Sequence, residues 1–133
     1  DIGDLPHQFA GFGVFLGGDS KTIAIFVDRS VGTSIAILLQ DVKTPRPLTH
    51  STIGNILMGL DAKVEKAVVN DLKDETFYAR IVLSQESELG RKLVEIDMRP
   101  SDAIAIALQQ KAPIFVKPSV WEESEDMGWA LGD

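Results

Sequence analysis

Residues 64–97 of the chain are VEKAVVNDLKDETFYARIVLSQESELGRKLVEID, and this stretch decides the fold. It holds three runs rich in β-branched and aromatic residues, at Val64–Asn70, Thr76–Leu83 and Leu93–Asp97. Such runs, separated by polar residues typical of turns, predict three strands. The connections are a polar turn at Asp71–Glu75 and a polar loop at Gln85–Gly90. Consecutive strands with connections this short favour antiparallel pairing.

The chain before this stretch predicts a hairpin followed by two helices. Residues 12–16 and Thr22–Val27 flank a Gly- and Ser-containing turn signal, which predicts the hairpin. Apolar residues at helical spacing predict a first helix over about 28–41. Pro45 and Pro47 end it, and Thr49 is the expected N-cap of a second helix.

The chain after this stretch predicts a third helix from residue 99 and a short strand at Ile114–Val116. The element order is therefore ββα–αβββ–αβ. This order predicts an α+β domain with about three helices and a mixed, mostly antiparallel sheet. Ser34–Gln40 resembles Ala103–Gln109. The similarity indicates an old strand–helix duplication or, equally, two buried helices of similar composition.

Length and charge limit the function classes. The 133 residues correspond to about one domain, and we place it at 1–117 with an acidic tail at 118–133. The net charge of −7 argues against a nucleic-acid binder that relies on a basic surface, but allows an enzyme that holds a few phosphates. The chain has no cysteine, which excludes disulfides and cysteine nucleophiles. With no long apolar run and no signal-like start, we expect a soluble, cytoplasmic protein.

Two segments place an arginine and a proline just before a helix begins. They are Arg46-Pro47-Leu48-Thr49-His50 and Asp97-Met98-Arg99-Pro100-Ser101-Asp102. A helix N-terminus offers free N–H groups and a positive dipole end, and arginine adds a planar fork for phosphate. We therefore predict phosphate binding at Arg46, Thr49, Arg99 and Ser101. The alternative is structural, with the arginines paired to aspartates and the hydroxyl residues acting as caps.

Acid–base and metal chemistry have candidates in the same two segments. His50 can exchange a proton near neutral pH, so it is a candidate general base or acid. Asp97 and Asp102 are candidate ligands for a divalent ion, since Mg²⁺ prefers carboxylate oxygen and water. Phe77 and Tyr78 are a candidate pair for stacking on a base. Because adjacent strand residues face opposite sides, one of the two rings belongs to the core.

The ordered motifs of this chain resemble those of the bifunctional nuclease family of bacteria and plants. The resemblance runs from about Phe12 to Val116. The segments that carry it are Arg46–His50, Leu72–Asp74 with Thr76–Ala79, Asp97–Ile104 and Ala112–Val116. It implies an α+β domain that self-associates, with a dimer favoured, and a nuclease activity on DNA and RNA. The polar residues that match the family by position are Arg46, Thr49, His50, Asp74, Arg99, Ser101 and Asp102.

Three positions depart from the family pattern. Ser51 stands where the family usually has Asp, and Val31 stands where it usually has an acid. The stretch Ile25–Asp28 lacks the usual Ile-Gly ending. If the family's acids hold metal or activate water, this chain lacks two of them.

Two functions from different classes follow. The first is a nuclease, assisted by Mg²⁺ or Mn²⁺, that acts on nucleic acid as substrate rather than as a tight ligand. In it Arg46 and Arg99 hold the scissile phosphate, Asp97 and Asp102 place the ion, and His50 moves the proton. The second is a non-catalytic, oligomeric binding module for a nucleotide or another small anion. A purely structural role for the arginines is a third possibility.

Overall fold

The computed structural model of this chain describes residues 2–4, 12–18, 21–40 and 43–127. The remaining residues, which include Trp129 and the end of the predicted tail, lie outside the described residues. The elements in chain order are Ile2–Asp4 (β1), Phe12–Gly17 (β2), Thr22–Val27 (β3), Arg29–Leu39 (α1), Thr49–Gly59 (α2), Ala62–Lys73 (β4), Thr76–Ser87 (β5), Gly90–Met98 (β6), Pro100–Gln110 (α3), Ile114–Val116 (β7) and Pro118–Glu123 (α4). The predicted element order is confirmed, with β1 and α4 in addition.

The described strands form two sheets. One has the order β1-β2-β3 and the other β6-β5-β4-β7. All neighbours are antiparallel except β4 and β7, which run parallel. The α+β class with mostly antiparallel pairing is therefore confirmed. The parallel pair arises because the chain crosses over through α3 between β6 and β7.

The β4–β5 hairpin is longer than the sequence pattern predicts. Asp71–Lys73 continue β4, and Leu72 pairs with Phe77. The turn consists of Asp74 and Glu75 alone, with φ angles of 49° and 65°. The predicted five-residue turn was thus too wide. Polar residues at an exposed end of a hairpin still find cross-strand partners, so pairing continues through them.

Helix α3 lies at the centre of the fold and contacts α1, α2, β3, β4 and β5. Its residues Ala103–Ala107 are all buried. Helix α1 begins after Asp28, whose side chain caps it by accepting from the Val31 N–H at 2.9 Å. Helix α2 begins at Thr49, so the N-cap is Leu48 rather than the predicted Thr49, and no side chain caps it. Residues near the starts of all three helices line one cavity.

Residues 118–127 pack onto the β2–β3 hairpin. The Met127 N–H donates to the Thr22 carbonyl at 2.6 Å, and Lys21 Nζ donates to the Ser124 carbonyl at 2.7 Å. Val120 and Met127 are buried. Within the part of the chain that the structure describes, no helix is long and apolar enough to cross a bilayer.

Gly18→Ala should lower the melting temperature. A Cβ at Gly18 would overlap the ring of Trp121, lying 2.8 Å from its Cη2 atom. Overpacking of this kind costs about 1–3 kcal/mol of unfolding free energy. Gly17→Ala is the matched control, because its Cβ would only touch Thr22 Oγ1 at 3.8 Å. Thermal denaturation followed by circular dichroism measures both, and equal melting temperatures would contradict the packing of α4 described here.

Candidate active site

Three helix N-termini surround one cavity of about 460 Å³. Polar and apolar residues from the first two turns of each helix line it. The polar ones are Ser30 and Ser34 from α1, Thr49 and His50 from α2, and Arg99 and Asp102 at the start of α3. Free N–H groups and positive dipole ends at helix N-termini stabilise an anion. The cavity therefore lies where the starts of three helices meet titratable side chains.

The Asp102 carboxylate holds the cluster together. Its Oδ1 lies 2.9 Å from His50 Nε2, and its Oδ2 accepts from Arg99 Nε at 2.9 Å. A second Arg99 nitrogen, Nη2, donates to Oδ1 at 3.2 Å. Burial raises the pKa of Asp102, but the hydrogen bonds from Arg99 and then from His50 outweigh it and leave that pKa below its usual value. The carboxylate is therefore ionised at neutral pH.

Arg99 joins this cluster to the start of α1. Its Nη1 lies 3.6 Å from Asp28 Oδ2. The hydrogen bond to Asp102 raises the pKa of Arg99 further. Two hydrogen bonds lower the pKa of Asp28, the one from the Val31 N–H more than the one from the Ser30 hydroxyl. Although two carboxylates position the guanidinium, its side chain is 63% exposed, so one side of it stays open to a ligand.

His50 is buried, with only 6% of its surface exposed. Because a carboxylate only accepts, the Nε2 atom that faces Asp102 carries a hydrogen, and the neutral ring leaves Nδ1 as an acceptor. Nδ1 is buried and has no hydrogen-bond partner among the described residues. An unpaired buried polar atom costs about 1–3 kcal/mol. A group that enters the cavity and hydrogen-bonds to Nδ1 would recover this energy.

The structure brings together about half of the residues that the sequence nominated. Those that line the cavity are Thr49, His50, Arg99 and Asp102. Those that lie elsewhere are Arg46, exposed in the loop before α2; Asp74, in the β4–β5 turn; Asp97, exposed on β6; and Ser101, in the wall of a neighbouring cavity. Of the four residues predicted to bind phosphate, Arg99 therefore shares one cavity with Thr49 and the neighbouring cavity with Ser101, and Arg46 lines neither.

The residues present do not fit a divalent ion held jointly by the two predicted aspartates. Both oxygens of Asp102 are already hydrogen-bonded. Asp97 faces away from the cavity, because its neighbour Met98 lines it and successive strand residues point to opposite sides. The described residues contain no group of three or more carboxylate or histidine side chains placed to hold a metal.

Helix α1 and its N-cap Asp28 contribute to the site, although the sequence pattern did not predict it. A signal existed in the internal similarity. Since Ser34–Gln40 matches Ala103–Gln109, the residues just before each of these stretches also correspond. Extending the match back aligns Asp28 and Ser30 with Asp97 and Arg99, so the start of α1 corresponds to the Arg99 segment. The residue Val31, where the family usually has an acid, also lines the cavity.

Comparison with known proteins identifies the family of this chain. The model of the bifunctional nuclease domain matches residues 14–127, which include every residue of the cavity. The chain belongs to the bifunctional nuclease family. An uncharacterized protein of Mycobacterium tuberculosis is 33% identical over 100 residues, which are 75% of this chain and 57% of that protein. The family resemblance inferred from the motifs is thereby confirmed.

Plant family members named as nucleases are more distant. Bifunctional nuclease 1 of Oryza sativa subsp. indica is 23% identical over 74% of this chain and 30% of its own length. Bifunctional nuclease 2 of Arabidopsis thaliana is 26% identical over 86% of this chain and 35% of its own length. The matched part of this chain therefore covers between 30% and 57% of the length of these relatives.

The lowered pKa of Asp102 predicts how stability depends on pH. A carboxylate whose pKa is lower in the folded than in the unfolded protein stabilises the fold above its unfolded pKa, about 3.9. That contribution is lost as the pH falls through the folded pKa. When the pH is lowered from 6 to 3, the melting temperature of Asp102→Asn should therefore fall less than that of the wild type. Thermal melts of both proteins at each pH measure the difference, and equal losses in the two proteins would contradict the lowered pKa of Asp102.

Proposed function

We propose that this chain is a nuclease that hydrolyses phosphodiester bonds in the cavity between the starts of α1, α2 and α3. The observation that carries the proposal is the array of Arg99, Asp102 and buried His50. The array puts the Arg99 guanidinium, which can bind an anion, beside His50, which can exchange a proton. Membership of the bifunctional nuclease family supports the same class of reaction.

Arg99 binds the scissile phosphate in this proposal. Asp102 and Asp28 hold its guanidinium in place, so little side-chain entropy is lost when a phosphoryl oxygen takes the remaining N–H donors. The cavity also lies at the starts of three helices, whose positive dipole ends favour an anion. Negative charge grows on these oxygens in the transition state, so donors fixed in advance accelerate the reaction.

His50 moves the proton. The attacking water gives a proton to Nδ1 as its oxygen bonds to phosphorus, and the phosphorus–oxygen bond to the leaving group breaks. The leaving oxygen departs on the side of the phosphorus opposite the attacking water and takes its proton from solvent, to which the imidazolium later releases its own. Asp102 stabilises the imidazolium by accepting from Nε2. Nδ1 is covered in this structure, so the proposal requires substrate binding to open a path to it.

Assistance by Mg²⁺ or Mn²⁺ stays a prediction. The proposal routes no step through an ion, because the two predicted aspartates do not share a donor set. Cleavage of a fluorogenic single-stranded oligonucleotide with Mg²⁺, with Mn²⁺ and with EDTA tests both points. Cleavage that continues in EDTA would agree with a site made of Arg99, Asp102 and His50. Cleavage that stops in EDTA would mean that the substrate phosphates or residues outside the described part complete a metal site.

A binding module for a small anion is the second candidate. The observation that favours it is that both Asp102 oxygens are already hydrogen-bonded. The cavity can then bind an anion, but its carboxylate has no free oxygen for a metal ion. A module of this kind binds a nucleotide in EDTA and cleaves nothing under any of the three conditions. Equilibrium binding measured beside the cleavage assay separates the two functions.

Self-association, with a dimer favoured, also stays a prediction. Helix α2 has few buried residues, and Ile56, Met58 and the following Leu60 are all more than half exposed. An exposed apolar group of this kind favours association. Light scattering of the purified chain and of Met58→Glu tests it, and a wild type that stays monomeric at high concentration would contradict it.

A further inference from the structure

A second cavity, of about 320 Å³, adjoins the first and shares Arg99 with it. It lies between the end of β3, the β4–β5 turn and the start of α3. Its volume is at the lower end of the range for small-molecule sites, roughly 300–1,000 Å³. A single planar ring system suits a cavity of this size better than a base pair does.

The walls of this second cavity combine two aromatic rings with polar groups. Phe26 on β3 is 51% exposed, and Phe77 on β5 is half-buried against the core. Thr76 and the buried Ser101 contribute hydroxyl groups. Glu75 has no hydrogen bond or ion pair with any of the described residues, so its carboxylate is available as an acceptor. Aromatic faces beside hydroxyl and carboxylate groups are what protein sites for unpaired bases contain.

The backbone of the β4–β5 turn places Glu75 at this cavity. Glu75 and its neighbour Asp74 both have a positive φ angle, 65° and 49°. Two-residue hairpin turns of this kind favour Asn-Gly, because other residues are strained in the left-handed region. An Asp-Glu turn keeps that strain and gains a carboxylate at the wall of the cavity.

We propose that the second cavity binds the unpaired base of the nucleotide whose phosphate lies at Arg99, with a preference for bases that carry an amino group. The base stacks on Phe26 and Phe77, and the Glu75 carboxylate accepts from the amino group. The identity of the ligand as a nucleotide rests on the proposed function. It follows that the substrate is single-stranded, since a paired base cannot enter.

The charge of the protein supports this mode of binding. At a net charge of −7, the chain cannot rely on the release of counterions from a basic surface. Asp28 and Glu75 also make the second cavity unfavourable for another phosphate. Stacking on aromatic rings and hydrogen bonds to the base do not need a basic surface, so they can supply affinity where electrostatic attraction does not.

Isothermal titration with cytidine, uridine and ribose 5-monophosphates tests the base site without hydrolysis. CMP should bind about tenfold more tightly than ribose 5-phosphate, the effect of stacking one base. UMP should fall between them, and Glu75→Gln should remove the difference between CMP and UMP. Phe26→Ala should weaken CMP binding about tenfold and leave ribose 5-phosphate binding unchanged. Phe115→Ala is the matched control, since Phe115 is also 51% exposed but lines neither cavity.

The outcomes separate the base site from the nuclease activity. Equal affinities for CMP and ribose 5-phosphate, or no binding of either, would overturn the base site. If CMP binding depends on Phe26 but no oligonucleotide is cleaved, the base site stands and the proposed hydrolysis is wrong. If cleavage depends on Arg99 but an abasic strand is cut as fast as oligo(dC), the hydrolysis stands and the base site is wrong.

Discussion

Arg99→Ala is expected to lower the rate of oligonucleotide cleavage by about 10²–10³-fold, the usual effect of removing one fixed donor to transition-state charge. Arg99 is the residue that joins all parts of the site. It hydrogen-bonds to Asp102, lies beside Asp28 and lines both cavities. Arg99→Lys keeps the charge but not the planar fork, so most of the loss should persist in that variant.

Arg46→Ala is the control for Arg99→Ala. Arg46 was nominated by the same sequence pattern, but it is exposed in the loop before α2 and does not line the cavity. Its replacement should change the cleavage rate little. An equal loss in Arg46→Ala and Arg99→Ala would mean that the substrate also contacts this loop. A folded Arg99→Ala protein that cleaves at the wild-type rate would contradict the site.

His50→Gln is expected to lower kcat by about 10²–10⁴-fold, the contribution of a general acid or base. The glutamine amide can still donate to Asp102, so the variant should retain the wild-type melting temperature. It cannot accept and return a proton, so the pH dependence of kcat that belongs to this group should disappear. Steady-state kinetics from pH 5 to pH 9, with a thermal melt of each protein, measure both quantities.

His50→Ala complements this measurement. It leaves Asp102, which is partly buried, without one of its two partners, so it should lose stability as well as activity. A His50→Gln protein that is stable and cleaves at the wild-type rate would assign His50 a structural role only. A protein that loses melting temperature in both variants would show that the ring itself is needed for packing.

Most of the fold follows from local pattern. The three runs within residues 64–97 alternate or cluster as strands do, and β4, β5 and β6 contain all of them. What the pattern did not predict was where strands end. Asp71, Lys73 and Gln85–Ser87 are polar, as turn residues are, but they stay in the sheet because each has a cross-strand partner. That information lies in the neighbouring strand rather than in the segment itself.

The site was predicted less completely. The pattern of arginine and proline before a helix found Arg99, and the helix start found His50, because both features are local. Asp102 links the two, and its contact with His50 joins residues 52 positions apart in sequence. No local pattern specifies such a contact. The same reasoning nominated Arg46 and Asp97, since a sequence pattern does not tell which side of a loop or strand a residue faces. Asp28 was missed because capping alone explains an aspartate at a helix start.

The most direct test of the nuclease site compares the wild type with the double variant His50→Gln/Arg99→Lys, each purified to homogeneity by the same procedure. Both proteins are incubated with the same single-stranded oligonucleotide after their melting temperatures have been measured. We predict cleavage by the wild type and only the background rate from a folded double variant. Equal cleavage by the two proteins would contradict the assignment of the activity to this cavity.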